Sequence, residues 1–354
     1  MVKLNIAVVF GGYSTEHEIS IKSSITVLEN LSEDRFNIIP IYICDDGKWH
    51  LYDGGIKNIR NINPKYLAPI TISLDRGASS ILRLVGEKIK PIKIDVAFPV
   101  LHGQYGEDGA IQGVFEMAGI PYLGCGILAS AVAMDKVFSK MIAAHLNIPT
   151  AKYLSFHESE FEKDPDANAK LIRTKLGYPC FVKPSNAGSS VGISKVKNKK
   201  QLLAAVEEAF ALNGKIIIER KIVGRELECA VVGSFDEVEV SDPGEILTPE
   251  EFYDYDAKYN NPQSQNIIPA EVDPDIVEQI KIYSEKLFRA IEGRGFARID
   301  FFLEEKTGKL IFNEINTLPG LTSVSMFPKL AATMGMNMED FLEKLVAITI
   351  REYL

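Results

Sequence analysis

The 354-residue chain is poor in cysteine, with only Cys44, Cys125, Cys180 and Cys229. These lie 81, 55 and 49 positions apart, with no CxxC pair and no Cys/His cluster. That argues against a disulfide framework and against a structural zinc site, and it fits a reducing cytoplasm. No stretch approaches 18 apolar residues, so no membrane-spanning helix is expected. The opening MVKLNIAVVFGG stops its apolar run at a glycine pair and lacks the length and cleavage pattern of a signal peptide. There is no GxxxxGK[ST] phosphate loop, no internal repeat and no low-complexity tract. Long basic runs are also missing. Lys+Arg is 39 against 48 Asp+Glu, a net charge of −9, which argues against nucleic acid or an anionic membrane as partner. A locally positive pocket for a small anion remains compatible with that balance.

What is present is ordinary globular material, 46% hydrophobic and 25% charged, enough for two or three domains. Residues 3–10 read as a buried strand, 19–31 as a helix with apolar spacings of 3 and 4, and 36–43 as a second strand. Strand, helix, strand is the βαβ signature of an α/β domain. Residues 44–90 read as an excursion with hairpins, 94–100 as a strand, and 120–123 as a short strand. A second unit reads as α+β: a helix over 127–146, then strands at 151–156, 180–184, 191–196 and 215–220, with helices between. A third has a strand at 226–233, a helix at 273–291, strands at 295–304 and 310–315, a loop at 316–327 and a last helix at 337–351. The units are 1–125, 126–223 and 224–354. Within the third, residues 242–272 are rich in Pro, Asn, Tyr and Asp and weakly periodic, the composition of a functional lid or a disordered loop.

Four clusters carry candidate chemistry. In FARIDFF (296–302) and FNEIN (312–316), strand alternation puts Arg298 with Asp300 and Glu314 with Asn316 on one face, opposite Ile299, Phe301 and Ile315. Pairing Asp300 with Glu314 sets Arg298 opposite Asn316 and Glu304 opposite Leu310, with an odd-length loop, Glu305–Lys309, keeping all four polar groups together. Two carboxylates and an amide are hard donors suited to Mg²⁺; the plain alternative is a surface hairpin with its charges in water. In FVKPSNAGSSVG (181–192), Lys183 and a Gly/Ser-rich turn suit a phosphate, or else form a flexible hairpin loop. In IIIE and GRE, Glu219 and Glu226 close and open apolar strands and could accept bonds from adenine and ribose, although a strand-end Glu is usually solvated. In GGYSTEHEIS (11–20), Glu16 could bind an ammonium, or Ser14 could simply cap the helix. A GxGxxA match at 124–129 lacks the downstream acidic residue of a dinucleotide site.

Taken in order, GGYSTEHEIS, LHGQYGEDGAIQG, YLGCGILASAVAMDK, VKPSNAGSSVGISKV, IIIERKIVGRELECAV, DYDAKY, ARIDFF and NEINTLPGLTSVS resemble the ATP-grasp carboxylate–amine ligases, and most closely the D-alanine–D-alanine ligase family. The resemblance covers nearly the whole chain. It implies a three-domain ATP-grasp fold, α/β with α+β parts, whose N-terminal domain is Rossmann-like. It implies a cytoplasmic, homodimeric enzyme that joins two D-alanines through a D-alanyl phosphate, with ATP and two Mg²⁺ (Mn²⁺ as a substitute), for peptidoglycan precursors and hence cell shape.

By the same resemblance, Lys136 and Lys183 hold ATP phosphates, Glu219 and Glu226 hold adenine and ribose, and Lys258 reaches the transferred phosphate. Asp300, Glu314 and Asn316 bind the metals. Glu16 meets the first D-alanine's ammonium, with His102 nearby, and Ser189 and Tyr259 form a pair that latches the lid. Arg298 and the Gly320 N–H stabilise the oxyanion. Ser325 and the Met326 backbone receive the second substrate's carboxylate. The same-fold alternative is a D-alanine–D-serine or D-alanine–D-lactate ligase. Depsipeptide makers carry a His in the lid, and residues 242–272 contain none.

Overall fold

The structure, a computed structural model, describes residues 3–188, 191–247 and 265–353. The fold is mixed α/β, with its described strands in three sheets. The first sheet comprises β1 (Leu4–Gly11), β2 (Phe36–Ile43), β3 (Trp49–Tyr52), β4 (Leu67–Ile72), β5 (Ser80–Val85), β6 (Lys88–Lys93) and β7 (Val96–Val100). Its order is β6-β5-β4-β3-β2-β1-β7. β1 runs parallel to both β2 and β7, while the 44–90 excursion adds antiparallel strands at one edge. Buried on both sides, β1 reads as a continuous apolar run, as parallel strands do. Helix α1 (His17–Asn30) follows it.

After α2 (Ala110–Ala118), the expected strand at 120–123 reduces to a single bridge between Tyr122 and Ala97. The expected helix over 127–146 is two helices, α3 (Ile127–Met134) and α4 (Lys136–His145). Asp135 separates them: its carboxylate accepts from the backbone N–H of Val137 and Phe138, capping α4 and turning the chain. The second sheet is antiparallel and holds β8 (Tyr153–His157), β9 (Cys180–Pro184), β10 (Ser194–Val196) and β11 (Lys215–Arg220), in the order β10-β9-β11-β8.

The third sheet holds β12 (Gly224–Gly233), β13 (Val238–Val240), β14 (Gly244–Leu247), β15 (Gln265–Ile267), β16 (Gly295–Glu304) and β17 (Leu310–Asn316). Its order is β15-β14-β12-β16-β17, with β13 on β12. β14 and β15 therefore border residues 248–264, and the expected loop over 242–272 is strand at both described ends. The expected loop at 316–327 gives way to a helix, Met326–Thr333. Its Pro328 sits in the first turn, where its missing N–H costs nothing, and Met326, Phe327, Leu330 and Ala331 are buried. The first and third sheets share a core. Phe98 of β7 stacks edge-on against Phe296 of β16 at 6.2 Å, and Phe296 meets Phe327 and Phe341 at 5.3 Å each. This packing brings the loop ends of the first sheet against the polar face of β16.

Candidate active site

The β16/β17 pairing is the expected one at its polar end: Arg298 faces Asn316 and Asp300 faces Glu314. Beyond Asp300 the register shifts, so that Phe301 faces Phe312 and Leu303, not Glu304, faces Leu310. Asn313 is the extra residue, a β-bulge that supplies the parity expected of the loop. The bulge also redirects the Asn313 carbonyl, which accepts from the Lys140 ammonium at 2.9 Å.

Arg298 is nearly fully buried. Its guanidinium forks onto Asp300, Nε to Oδ1 and Nη2 to Oδ2, both at 2.8 Å. Its Nε also lies 3.1 Å from Oε2 of Glu228, which stands directly across β12 from Asp300. Burial works against its charge, but Asp300 and Glu228 more than offset this and hold its pKa well above the ordinary value. Asn316 donates to Asp300 Oδ2 at 3.0 Å. This face carries Glu228, Asp300 and Glu314 against one arginine. Among the described residues no three acidic, His or Cys side chains form a self-sufficient metal cage. Asp300, Glu314 and Asn316 are instead a half-built set of hard oxygen donors. That set suits Mg²⁺ when phosphate oxygens and water complete its shell.

Two cavities meet at this wall. The larger, 410 Å³, lies between the second and third sheets and is lined by Lys183, Glu219, Glu226, Arg298, Asp300 and Glu314, among others. On one side, Lys183 Nζ lies 2.6 Å from Glu219 Oε2 and Lys140 Nζ lies 2.8 Å from Glu219 Oε1. Burial would push the Glu219 carboxyl up, but Lys140 and Lys183 prevail and bring it down to about 2. Burial lowers Lys140 despite Glu219, while Glu219 outweighs burial and raises Lys183. Lys140 is an addition to the expected set. Its signal was legible, since it stands one helical turn after Lys136 on the same face of α4. Glu228 could likewise have been found two residues after Glu226, on the same strand face.

The smaller cavity, 70 Å³, is polar. It is lined by Glu16, His102, Lys136, Arg298, Asn316 and Gly320, among others. Glu16 is buried at the head of α1. A side chain at Gly103, whose φ is +70°, or at Gly188 would collide with its carboxylate, so two glycines let two loops close on it. Ser14 does not cap α1. It donates to the His102 carbonyl at 2.9 Å and accepts from the Glu16 N–H. Glu107, also unforeseen, is pushed up by burial and by the neighbouring Glu16 charge, with His102 pulling it back. Lys136 reaches the Ala187 carbonyl at 2.9 Å and Glu314 Oε2 at 3.3 Å. Its backbone N–H donates to Ser185, whose hydroxyl donates to Asp135, and Asp135 in turn pairs with Lys215 at 2.8 Å. Ser325 precedes the Met326–Thr333 helix with its hydroxyl 2.7 Å from that of Thr322, next to Gly320, and Met326 is buried as the helix's first residue. Ser189, Lys258 and Tyr259 lie outside the described residues.

Comparison with known proteins points one way. The sequence model described as D-ala D-ala ligase N-terminus matches residues 5–125, and the one described as D-ala D-ala ligase C-terminus matches residues 142–347. A D-alanine–D-alanine ligase of Caldicellulosiruptor bescii is 44% identical over 99% of this chain and 96% of its own. One of Acetivibrio thermocellus is 45% identical over 99% and 97%. Among solved structures, the VanG D-Ala:D-Ser ligase of Enterococcus faecalis has a TM-score of 0.89 at 38% identity over 100% of both chains. The D-alanine–D-alanine ligase of Coxiella burnetii has a TM-score of 0.86 at 31% identity over 99% of this chain and 95% of its own.

Proposed function

The chain belongs to the D-alanine–D-alanine ligase family, an ATP-grasp fold, and from that premise we propose that it joins two D-alanines at the expense of ATP. The observation that carries this reading is the wall shared by the two cavities. Arg298, lining both, stands between a nucleotide-sized slot and a small polar chamber. A carboxylate is a poor electrophile. Transfer of the γ-phosphoryl to the first D-alanine gives an acyl phosphate and ADP. The second amine then attacks the carbonyl, phosphate leaves and the amine loses a proton.

In this reading the larger cavity takes ATP. Lys183 and Lys136 meet its phosphates, and Glu219 and Glu226 serve its adenine and ribose. Mg²⁺ held by Asp300, Glu314 and Asn316 would neutralise phosphate charge during in-line transfer. Glu16 takes the ammonium of the first D-alanine in the smaller cavity. Arg298 and the Gly320 N–H sit where the oxyanion's charge develops, and Ser325 and Met326 receive the second carboxylate. Lys258, Ser189 and Tyr259 complete the set by resemblance, as a phosphate contact and a latch on a lid over 242–272 that would keep water from the acyl phosphate.

The division at 125 and 223 is supported by each unit containing one sheet. We further propose a homodimer working in the cytoplasm on peptidoglycan precursors. No helix among the described residues is long and apolar enough to cross a membrane.

The deciding experiment is product identification from ATP, Mg²⁺ and D-alanine, alone and mixed with D-serine or D-lactate. D-alanyl-D-alanine is expected to dominate. Equal or faster ADP release toward a mixed product would move the assignment to the D-serine or D-lactate type, which the VanG likeness keeps as the second reading.

A further inference from the structure

Helix α1 carries three serines with no exposure, Ser20, Ser23 and Ser24. Serine is a mediocre helix former, and a buried hydroxyl is costly unless bonded. Ser24 bonds back to the Ile21 carbonyl within its own helix. Ser20 accepts from Gly11 and donates to the Val100 carbonyl, tying together the ends of β1 and β7. Ser23 reaches much further. The N–H of Leu321, 298 residues away, donates to its Oγ at 3.2 Å, and that Oγ lies 2.9 Å from His102 Nε2. The other ring nitrogen, Nδ1, lies 2.8 Å from the Leu318 carbonyl.

The direction of this chain follows from what each group can do. A carbonyl only accepts, so Nδ1 carries a hydrogen. The Ser23 hydroxyl proton needs an acceptor in a fully buried place, and Nε2 is the acceptor within reach. The sequence is therefore Leu321 N–H to Ser23, Ser23 O–H to His102 Nε2, and His102 Nδ1–H to Leu318. Both ends land on one short segment, on either side of Gly320. At 3.8 Å, Glu107 is an acidic neighbour of the ring rather than a hydrogen-bond partner.

We propose that Ser23 and His102 are positioning residues. Together they form a strut from the first sheet that holds residues 318–321, and with them the Gly320 N–H, against the smaller cavity. The proposal rests on the reading of Gly320 as an oxyanion donor. It gives His102 a task other than substrate contact, and it gives Ser23 a task where none was assigned.

The test is Ser23→Ala, with Ser23→Cys as a volume-conserving second variant. Ser23→Ala should lower kcat about 10-fold, the scale of one buried hydrogen bond, and leave the KM for ATP unchanged. The Leu321 amide should exchange its hydrogen about 10-fold faster, having lost its acceptor. His102→Asn, which can still donate to Leu318, should retain more kcat than His102→Ala. Unchanged exchange at Leu321 would overturn the strut and leave the role of Gly320 standing. Faster exchange with unchanged kcat would overturn the oxyanion reading of Gly320, and with it the positioning role. A rise in the KM for ATP matching the loss of kcat would show general disorder of the site and overturn the proposal.

Discussion

The two cavities differ in what builds them. The larger takes its walls from strands of the second and third sheets, with aromatic sides such as Phe181, Phe302 and Phe312 and several ion pairs, the Lys140–Glu219–Lys183 trio and Arg225–Glu245 among them. The smaller has hardly any strand of its own apart from the shared wall. Glu16, His102 and Glu107 come from loop ends of the first sheet, Gly188 from a loop of the second, and Gly320 from a loop of the third. Strands give a rigid slot, part aromatic and part charged, that can hold a large flat ligand. Loops from three separate sheets can converge polar groups on a small volume, provided something fixes each loop. The difference locates the chemistry: binding bulk lies on one side, polar groups closing on a small volume on the other, and the reacting atoms belong at the shared wall.

The most severe way to test that division is to remove the wall. Arg298→Ala should lower ligation by about 10²–10³, the usual loss for a donor aimed at a developing oxyanion. ADP affinity, measured by titration calorimetry, should change far less. If nucleotide affinity fell as steeply as turnover, the two cavities would have to be treated as one site.

Lys140→Met strikes only the larger cavity. It leaves Glu219 with one lysine instead of two and the Asn313 carbonyl without its donor. Breaking a buried pair in this way should cost about 3 kcal/mol of stability. Thermal unfolding should register the loss, and the KM for ATP should rise while the KM for D-alanine stays put. A matched rise in both would erase the distinction between the cavities.

These two residues also show what the sequence could and could not convey. Arg298, Asp300, Glu314 and Asn316 were legible because strand alternation and cross-strand pairing follow from a simple period. The bulge at Asn313 was not, because a bulge is a local exchange of pairing for aim that leaves no periodic mark. The split of one apparent helix at Asp135 was hidden for a related reason. An Asp inside an apolar run reads as a tolerated polar residue until its carboxylate is seen capping the next helix. The helix Met326–Thr333 was masked by Pro328, which reads as a breaker yet is harmless in a first turn. Ser23 acts through a tertiary contact 79 residues away, on His102, and no local pattern reports that; for Lys140, 79 residues from Glu219, the local pattern offers only its place one turn after Lys136.

Acid should sharpen the comparison next. The Glu219 carboxyl is held from its ordinary 4.5 to about 2 in the fold. The unfolded chain therefore binds the extra proton first as pH falls. The trio's contribution to stability is complete above pH 4.5 and is lost as pH drops through 4.5 toward 2. Once Glu219 is protonated, Lys140 is a buried cation without its counter-charge. The stability gap between wild type and Lys140→Met, read from urea midpoints, should narrow steadily from pH 5 to pH 3. A constant gap would mean that Lys140 acts by packing rather than by charge.

Asn316→Ala should have the mildest effect, because the residue is a neutral member of the metal-facing set. Its amide donates to Asp300 Oδ2, which also accepts from Arg298, so the side chain fixes the orientation of a carboxylate already held by the arginine fork. Removing it leaves both acids in place and the fork intact. The Mg²⁺ concentration for half-maximal rate should rise about 10-fold, the lower end of what losing an orienting partner costs. At saturating Mg²⁺ most of the rate should return. Recovery by added metal is what separates this variant from Arg298→Ala, whose loss no concentration of Mg²⁺ should repair. An Mg²⁺ titration identical to wild type would take Asn316 out of the metal set and leave it as a prop for Asp300 alone.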